Sequence, residues 1–177
     1  MENDIEKISI NSYLVFKIGN EEFAANAGKV QRILEMQEIT SVPQAPVYMK
    51  GVINLMGRVL PVVDARLKLG MEQKEADTNT CIIVLEINKE SEVVETGLVV
   101  DNVQSVIEIQ KEEIKDPPSI GMNINSDYIQ GMVEQNNKFI MLLNVDKVLS
   151  SGEIIKLQSS IDAQKKKKTR KSEAEIE

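Results

Sequence analysis

Apolar residues in this chain fall into short β-branched runs separated by glycine, asparagine and proline, with turn signals about every 8–12 residues. Residues 13–18 (Tyr-Leu-Val-Phe-Lys-Ile) are rich in β-formers. Gly19-Asn20 then supplies turn chemistry before Glu22-Phe-Ala-Ala25, which predicts a hairpin. Residues 30–36 read as a short turn and a strand, with Val30, Arg32, Leu34 and Met36 on one face and Gln31, Ile33 and Glu35 on the other. Helical spacing of Val30, Ile33 and Leu34 fits nearly as well. Pro43 and Pro46 lack a backbone donor and exclude a ladder-bonded strand between them, and residues 47–50 read as one helical turn ending at Gly51. The apolar runs 52–56 and 59–63 are joined by Gly57-Arg58, a hairpin signal, and Pro61 marks an edge or a bulge. Asp64 is placed to cap a short helix over 65–69, closed by Gly70.

After a polar connector at 72–79 the pattern returns. Strands are predicted over 81–87, 97–100, 103–109, 129–134 and 139–143, with Asn136-Asn137 as a hairpin turn and a helix from Val145. The landmarks repeat as well. Tyr128-Ile-Gln-Gly131 echoes Tyr48-Met-Lys-Gly51, and Val103-Gln-Ser-Val-Ile-Glu-Ile-Gln110 echoes Val30-Gln-Arg-Ile-Leu-Glu-Met-Gln37. Val145-Asp146 is aligned with Val63-Asp64. A spacing of roughly 75 residues is too long for a solenoid and fits two similar subdomains in one module. The expected class is all-β, a barrel or sandwich of about ten strands. The expected organisation is a flexible N-terminus at 1–11, a module at 12–152, and a charged, disordered tail at 153–177.

Composition narrows the function. The chain has 177 residues and no histidine, which removes the usual general acid–base group, Ser-His and Cys-His nucleophiles, and the commonest zinc ligand. One cysteine, Cys81, permits no internal disulfide and is expected as a buried, inert thiol. No run of apolar residues is long enough to cross a membrane, and the acidic start predicts no secretory signal. Net charge is −7, and residues 165–177 hold six basic and three acidic residues, so the remaining body is more acidic still. With 3% aromatics, that body opposes a nucleic-acid-binding barrel.

Two aspartates, Asp64 and Asp101, each follow Val-Val and admit a paired-carboxylate enzyme, although helix capping is the plainer role for Asp64. No glycine pattern cradles a nucleotide. Asn54, inside an apolar strand, reads equally as a buried hydrogen-bonding post or as part of a contact surface.

The segment Gly51-Val-Ile-Asn-Leu-Met-Gly-Arg-Val-Leu-Pro-Val-Val-Asp64, with Gly97-Leu-Val-Val-Asp101-x-Val103, Tyr128-Ile-Gln-Gly131 and Leu142-Leu-Asn-Val-Asp146-Lys-Val148, resembles the CheW family of bacterial chemotaxis coupling proteins. The likeness runs over about residues 12–150. It implies two intertwined five-stranded SH3-like β-barrels with short helices and no catalysis or cofactor. It implies a scaffold in two-component signalling that joins the regulatory domain of the chemotaxis histidine kinase to chemoreceptor cytoplasmic tips. The implied location is cytoplasmic, at membrane-associated receptor arrays, without membrane insertion and with ring assembly beside the kinase or other copies. The resemblance places a kinase-binding surface at Leu14, Ala27, Val30 and Ile33. It places a receptor-binding groove at Arg32, Gly51, Asn54, Leu55, Met56, Arg58, Val99 and Val103. An adaptor of a non-flagellar chemosensory pathway would share all of this.

Two positions depart from the family pattern. Arginine is usual where Met56 stands, and glutamate is common where Arg32 stands. If the two are neighbours, an opposite-charge pair has been replaced without a like-charge clash, and receptor preference is expected to differ. Arg58 is a candidate to supply the missing guanidinium.

Overall fold

The alternating runs form ten strands among the described residues. The structure, a computed structural model, describes residues 11–89, 91–117, 125–149 and 170–171. The strands are β1 (Ser12–Ile18), β2 (Glu21–Asn26), β3 (Val30–Glu35), β4 (Met49–Leu55), β5 (Arg58–Asp64), β6 (Cys81–Lys89), β7 (Glu92–Val100), β8 (Asn102–Glu108), β9 (Ile129–Gln135) and β10 (Lys138–Leu143). Helix α1 (Ala65–Lys68) follows β5, and α2 (Val145–Leu149) follows β10. The expectations for residues 1–10 and for the tail at 153–169 and 172–177 lie outside the described residues.

Two five-stranded sheets result, ordered β8-β1-β2-β10-β9 and β3-β6-β7-β5-β4. The orders become identical when the first five strands are exchanged for the last five. Each barrel therefore takes two strands from one repeat and three from the other, so the repeats are intertwined rather than side by side. Each sheet wraps its own apolar cluster. Val15, Ala24, Ile109, Val133, Ile140 and Leu142 fill the first barrel. Ile53, Leu55, Leu60, Val62, Ile82, Val84 and Val99 fill the second. A larger cluster, including Leu14, Phe16, Phe23, Ile83, Leu85, Leu98 and Met141, joins residues of both sheets. Removing this much aliphatic surface from water is the main stabilising contribution, since aromatics are few.

Backbone pairing corrects the aligned repeat at one point. Asp64 N–H donates to the Tyr48 carbonyl and Asn144 N–H to the Tyr128 carbonyl, both at 2.8 Å. Asn144, not Asp146, is thus the counterpart of Asp64. Both cap helices: the Asp64 carboxylate accepts from Arg66 and Leu67 N–H, and the Asn144 side chain accepts from Lys147 N–H. Arg66 then corresponds to Asp146. Tyr48 and Tyr128 also share a cation, with the Lys68 ammonium 4.1 Å from one ring centroid and 5.6 Å from the other.

Other local expectations shift too. Residues 49 and 50 begin β4 rather than closing a helical turn, and Gly51 lies inside that strand at φ 145°. A Cβ there would stand 2.0 Å from the Thr40 carbonyl oxygen, so the close strand crossing requires glycine. The hairpin turn falls on Met56-Gly57, both left-handed, one residue before the expected Gly57-Arg58. The polar stretch after Ile87 continues the β6–β7 ladder out to the Lys89–Glu92 pair instead of looping. Cys81 is half-buried, its thiol donating to the Asn79 carbonyl at 3.2 Å.

Candidate interaction surfaces

Strand β3 presents two different faces because it contains a bulge. Pairing with β6 slips between Val30 and Arg32, so Val30 opposite Leu85 and Ile33 opposite Ile83 share one face. Leu34 packs with the second barrel's cluster, on the other face with Arg32. Strict alternation had grouped Val30 with Arg32; the extra residue reverses that. The same slip recurs in β8 between Val103 and Ser105, opposite Val15/Phe16. The upstream echo is therefore a true structural equivalence.

Of the residues expected at a kinase surface, Ile33 is 45% exposed, Val30 is half-buried on the same face of β3, and Ala27 is half-buried in the turn that precedes the strand. Leu14 is 4% exposed and belongs to the large shared cluster. Its side chain supports the surface from beneath and does not form part of it.

The expected groove residues divide in the same way. Arg32, Asn54, Met56 and Arg58 are exposed around the tip of the β4–β5 hairpin. Gly51, Leu55 and Val99 are buried, and Val103 is half-buried against the shared cluster. Arg32 and Met56 are neighbours: the guanidinium Nη1 donates to the thioether sulfur at 3.9 Å. Asn54 is exposed and also serves as a hydrogen-bonding post, accepting from Gly57 N–H at 2.9 Å and holding the left-handed turn. Arg58 pairs with Glu95 at 3.1 Å, so its guanidinium is engaged there.

Among the described residues, five exposed large apolar residues were not expected at either surface: Val47, Val59, Val93, Val106 and Phe139. Val59 adjoins the hairpin, and Val106 and Phe139 stand 61% and 52% exposed on the first barrel. Strand pairing makes Val106 the counterpart of Ile33, and Phe139 that of Val59. The signal was present, since the aligned echo already set Val106 against Ile33; the burial of their neighbours was not. The two halves thus carry paired apolar spots on separate barrels.

The aspartates are engaged structurally. Besides capping α1, Asp64 lies 3.8 Å from the Lys50 ammonium. Asp101 accepts a fork from Arg66, at 3.0 Å from Nε and 2.6 Å from Nη2, and a third bond from Gly19 N–H at 2.7 Å. Burial alone pushes the Asp101 carboxyl up; the Arg66 and Gly19 hydrogen bonds and the guanidinium charge outweigh it and hold it below its ordinary value. The hydrogen bond to Asp101 raises Arg66 in turn, against the opposing effect of burial. Both carboxylates line one cleft of about 10 Å³, room for roughly a single water. A substrate does not fit between them. Among the described residues no cluster of three His, Cys, Asp or Glu could hold a metal, and no helix is long and apolar enough to cross a membrane.

The CheW-like domain model matches residues 12–153, a stretch that contains all ten described strands. The chain belongs to the CheW-like family. Relatives named chemotaxis protein CheW include one from Klebsiella aerogenes, 32% identical over 142 residues, covering 80% of this chain and 83% of that one. Another, from Rhizobium meliloti, is 34% identical over 140 residues, covering 79% and 88%. The crystal structure of the scaffolding protein CheW from Thermoanaerobacter tengcongensis superposes with a TM-score of 0.72 at 25% identity, covering 81% of this chain and 94% of that one. The CheW-like fold accounts for both the intertwined barrels and the repeat.

Proposed function

We propose that this chain is a non-catalytic chemotaxis adaptor that couples chemoreceptor tips to the regulatory domain of the chemotaxis histidine kinase. Membership of the CheW-like family along the full two-barrel module carries the reading. The surfaces suit it: Ile33, with Val30 on its face of β3 and Ala27 in the turn before the strand, offers an apolar anchor for the kinase. Arg32, Asn54, Met56 and Arg58 form the receptor-facing rim, with Gly51, Leu55 and Val99 of the same sheet behind them, while Val103 lies in the other sheet against the shared cluster. Because Ile33 and Arg32 point to opposite faces of β3, both partners can be held on one rigid strand, and a shift at one contact can bias the other. Val106 and Phe139 on the first barrel give a second apolar contact for assembly with the kinase or another copy. The place of action is the cytoplasmic side of receptor arrays.

Co-purification of the full chain with a receptor tip and the kinase regulatory domain tests this. A ternary complex is expected; an inability to bind either partner overturns the reading.

The Arg32–Met56 contact also supports an altered receptor preference. A neutral thioether beside one cation replaces an opposite-charge pair, so the rim carries an arginine with donors to spare. Arg32→Glu combined with Met56→Arg is expected to shift receptor affinity, and unchanged affinity and array incorporation would sink that idea.

A further inference from the structure

Met56 is set apart from the other described methionines by its surroundings. Met49 and Met141 are buried, and Met36, Met71 and Met132 are half-buried. Met56 stands 69% exposed at the tip of a hairpin, on a left-handed backbone with φ 49° that turns its side chain out of the barrel. Its sulfur lies 3.9 Å from Arg32 Nη1. An exposed thioether beside a guanidinium differs from an exposed thioether alone. The sulfur is a poor acceptor, whereas a sulfoxide oxygen is a strong one, and the donor is already in place.

We propose that Met56 is a site of reversible oxidation by peroxide, and that Arg32 captures the sulfoxide oxygen. The sulfur attacks one peroxide oxygen, forming the S–O bond as the O–O bond breaks. The departing hydroxide takes the proton from the new hydroxyl and leaves as water. Sulfur loses two electrons and the peroxide gains them. Rotation about Cγ–Sδ brings the new oxygen to Arg32, replacing a weak N–H···S contact with a charge-assisted N–H···O bond. Thiol-dependent methionine sulfoxide reductases restore the thioether.

The chemistry alters the surface as well as the atom. An apolar tip becomes a polar, dipolar one, and the guanidinium that was partly free becomes occupied. Lower affinity for a receptor tip is the expected consequence, which rests on the receptor-facing reading above; the oxidation site itself does not.

Trypsin makes the test direct, because fragment 51–58 carries Met56 as its single methionine and fragment 33–50 carries Met36 and Met49. The full chain is treated with graded hydrogen peroxide, quenched, digested and weighed. Fragment 51–58 is expected to gain one oxygen on the order of tenfold faster than fragment 33–50. Equal rates would overturn the site. Reductase repair of Met56 is expected to be about threefold faster in Arg32→Ala than in the native chain, because the oxygen is no longer held. Equal repair rates would overturn the capture.

Receptor-tip binding before and after peroxide separates the two readings. Affinity should fall in the native chain and stay at its starting value, whatever that is, in Met56→Leu. A native affinity untouched by peroxide overturns the docking consequence. A chain that oxidises at Met56, is repaired faster without Arg32, and never binds receptor tips upholds the site and sinks the receptor-facing reading.

Discussion

Arg66 and Asp101 tie the two repeats together through a two-pronged ion pair, 2.6 Å at its shortest, between the first turn of α1 and the entrance to β8. The counterpart of Arg66 in the other repeat is Asp146, and it too reaches the entrance to a strand, pairing with Lys29 before β3 at 3.0 Å. The aligned counterpart of Asp101 is Gly28, so a bridge recurs in the other repeat with its polarity reversed and its strand-side partner shifted by one residue to Lys29. A sequence alignment scores this as mismatch at both ends, whereas the fold preserves the interaction.

The Arg66–Asp101 pair should make stability depend on pH in one direction. The folded carboxyl titrates below its ordinary value of about 4, so the unfolded chain takes up the proton first as pH falls. The pair's contribution is complete above that ordinary value and is lost as pH drops through the folded one. Asp101→Asn is expected to lower stability near neutrality by about 2 kcal/mol, with the gap to the native chain closing in acid. Urea denaturation at a series of pH values measures it, and a gap that widens in acid contradicts the assignment.

Glycine at 51 should be less replaceable than its counterpart at 131. A Cβ at 51 would meet backbone, with the Thr40 carbonyl oxygen at 2.0 Å and a positive φ besides. A Cβ at 131 first meets the Ile114 methyl at 2.6 Å, a side chain, although the Lys115 carbonyl oxygen follows at 2.9 Å. Gly51→Ala is expected to cost about 3 kcal/mol or more and Gly131→Ala less, as read from denaturation midpoints.

Helix capping gives a test of the corrected repeat. Asp64→Ala should destabilise by about 1–2 kcal/mol, since it removes the cap on α1 and leaves Lys50 without its nearby carboxylate. Asn144→Ala should lower stability for the same capping reason. Asp146→Ala should instead abolish the Lys29 contact and leave α2 capped. Amide exchange at Lys147 separates these outcomes, speeding up in Asn144→Ala but not in Asp146→Ala.

Core and surface can be told apart at Leu14 and Ile33. Leu14→Ala empties part of the shared cluster and is expected to cost about 2–5 kcal/mol of stability. Ile33→Glu changes an exposed site and should leave the thermal midpoint nearly unmoved. On the proposed function it weakens binding of the kinase regulatory domain by about thirtyfold, as measured by titration calorimetry. A Leu14→Ala chain of native stability would show that the residue is not part of the core.

Most strands, the turns at Gly19-Asn20 and Asn136-Asn137, and the twofold repeat were legible in the sequence because each leaves a mark in local chemistry. β-Branched runs favour extended backbone, Asn136-Asn137 and Gly57 accept left-handed turns, and Asp64 precedes a helix it can cap. The Val30 and Val103 segments aligned correctly because their apolar patterns face equivalent neighbours. The absence of histidine and the acidic body likewise followed from composition alone.

What the chain exchanges between its halves was decided only in three dimensions. Partner choice among strands depends on contacts between residues distant in sequence, so nothing local says that β1 and β2 join β10, while β5 joins β7. The bulge in β3 belongs to the same class, because register is set by the opposing strand, and one extra residue moved Val30 to the face of Ile33. So does the division of the candidate site. Sequence marked Leu14 and Ile33 alike as apolar positions, and tertiary packing buried the first and left the second in water, because solvent exposure is fixed by what the rest of the chain covers.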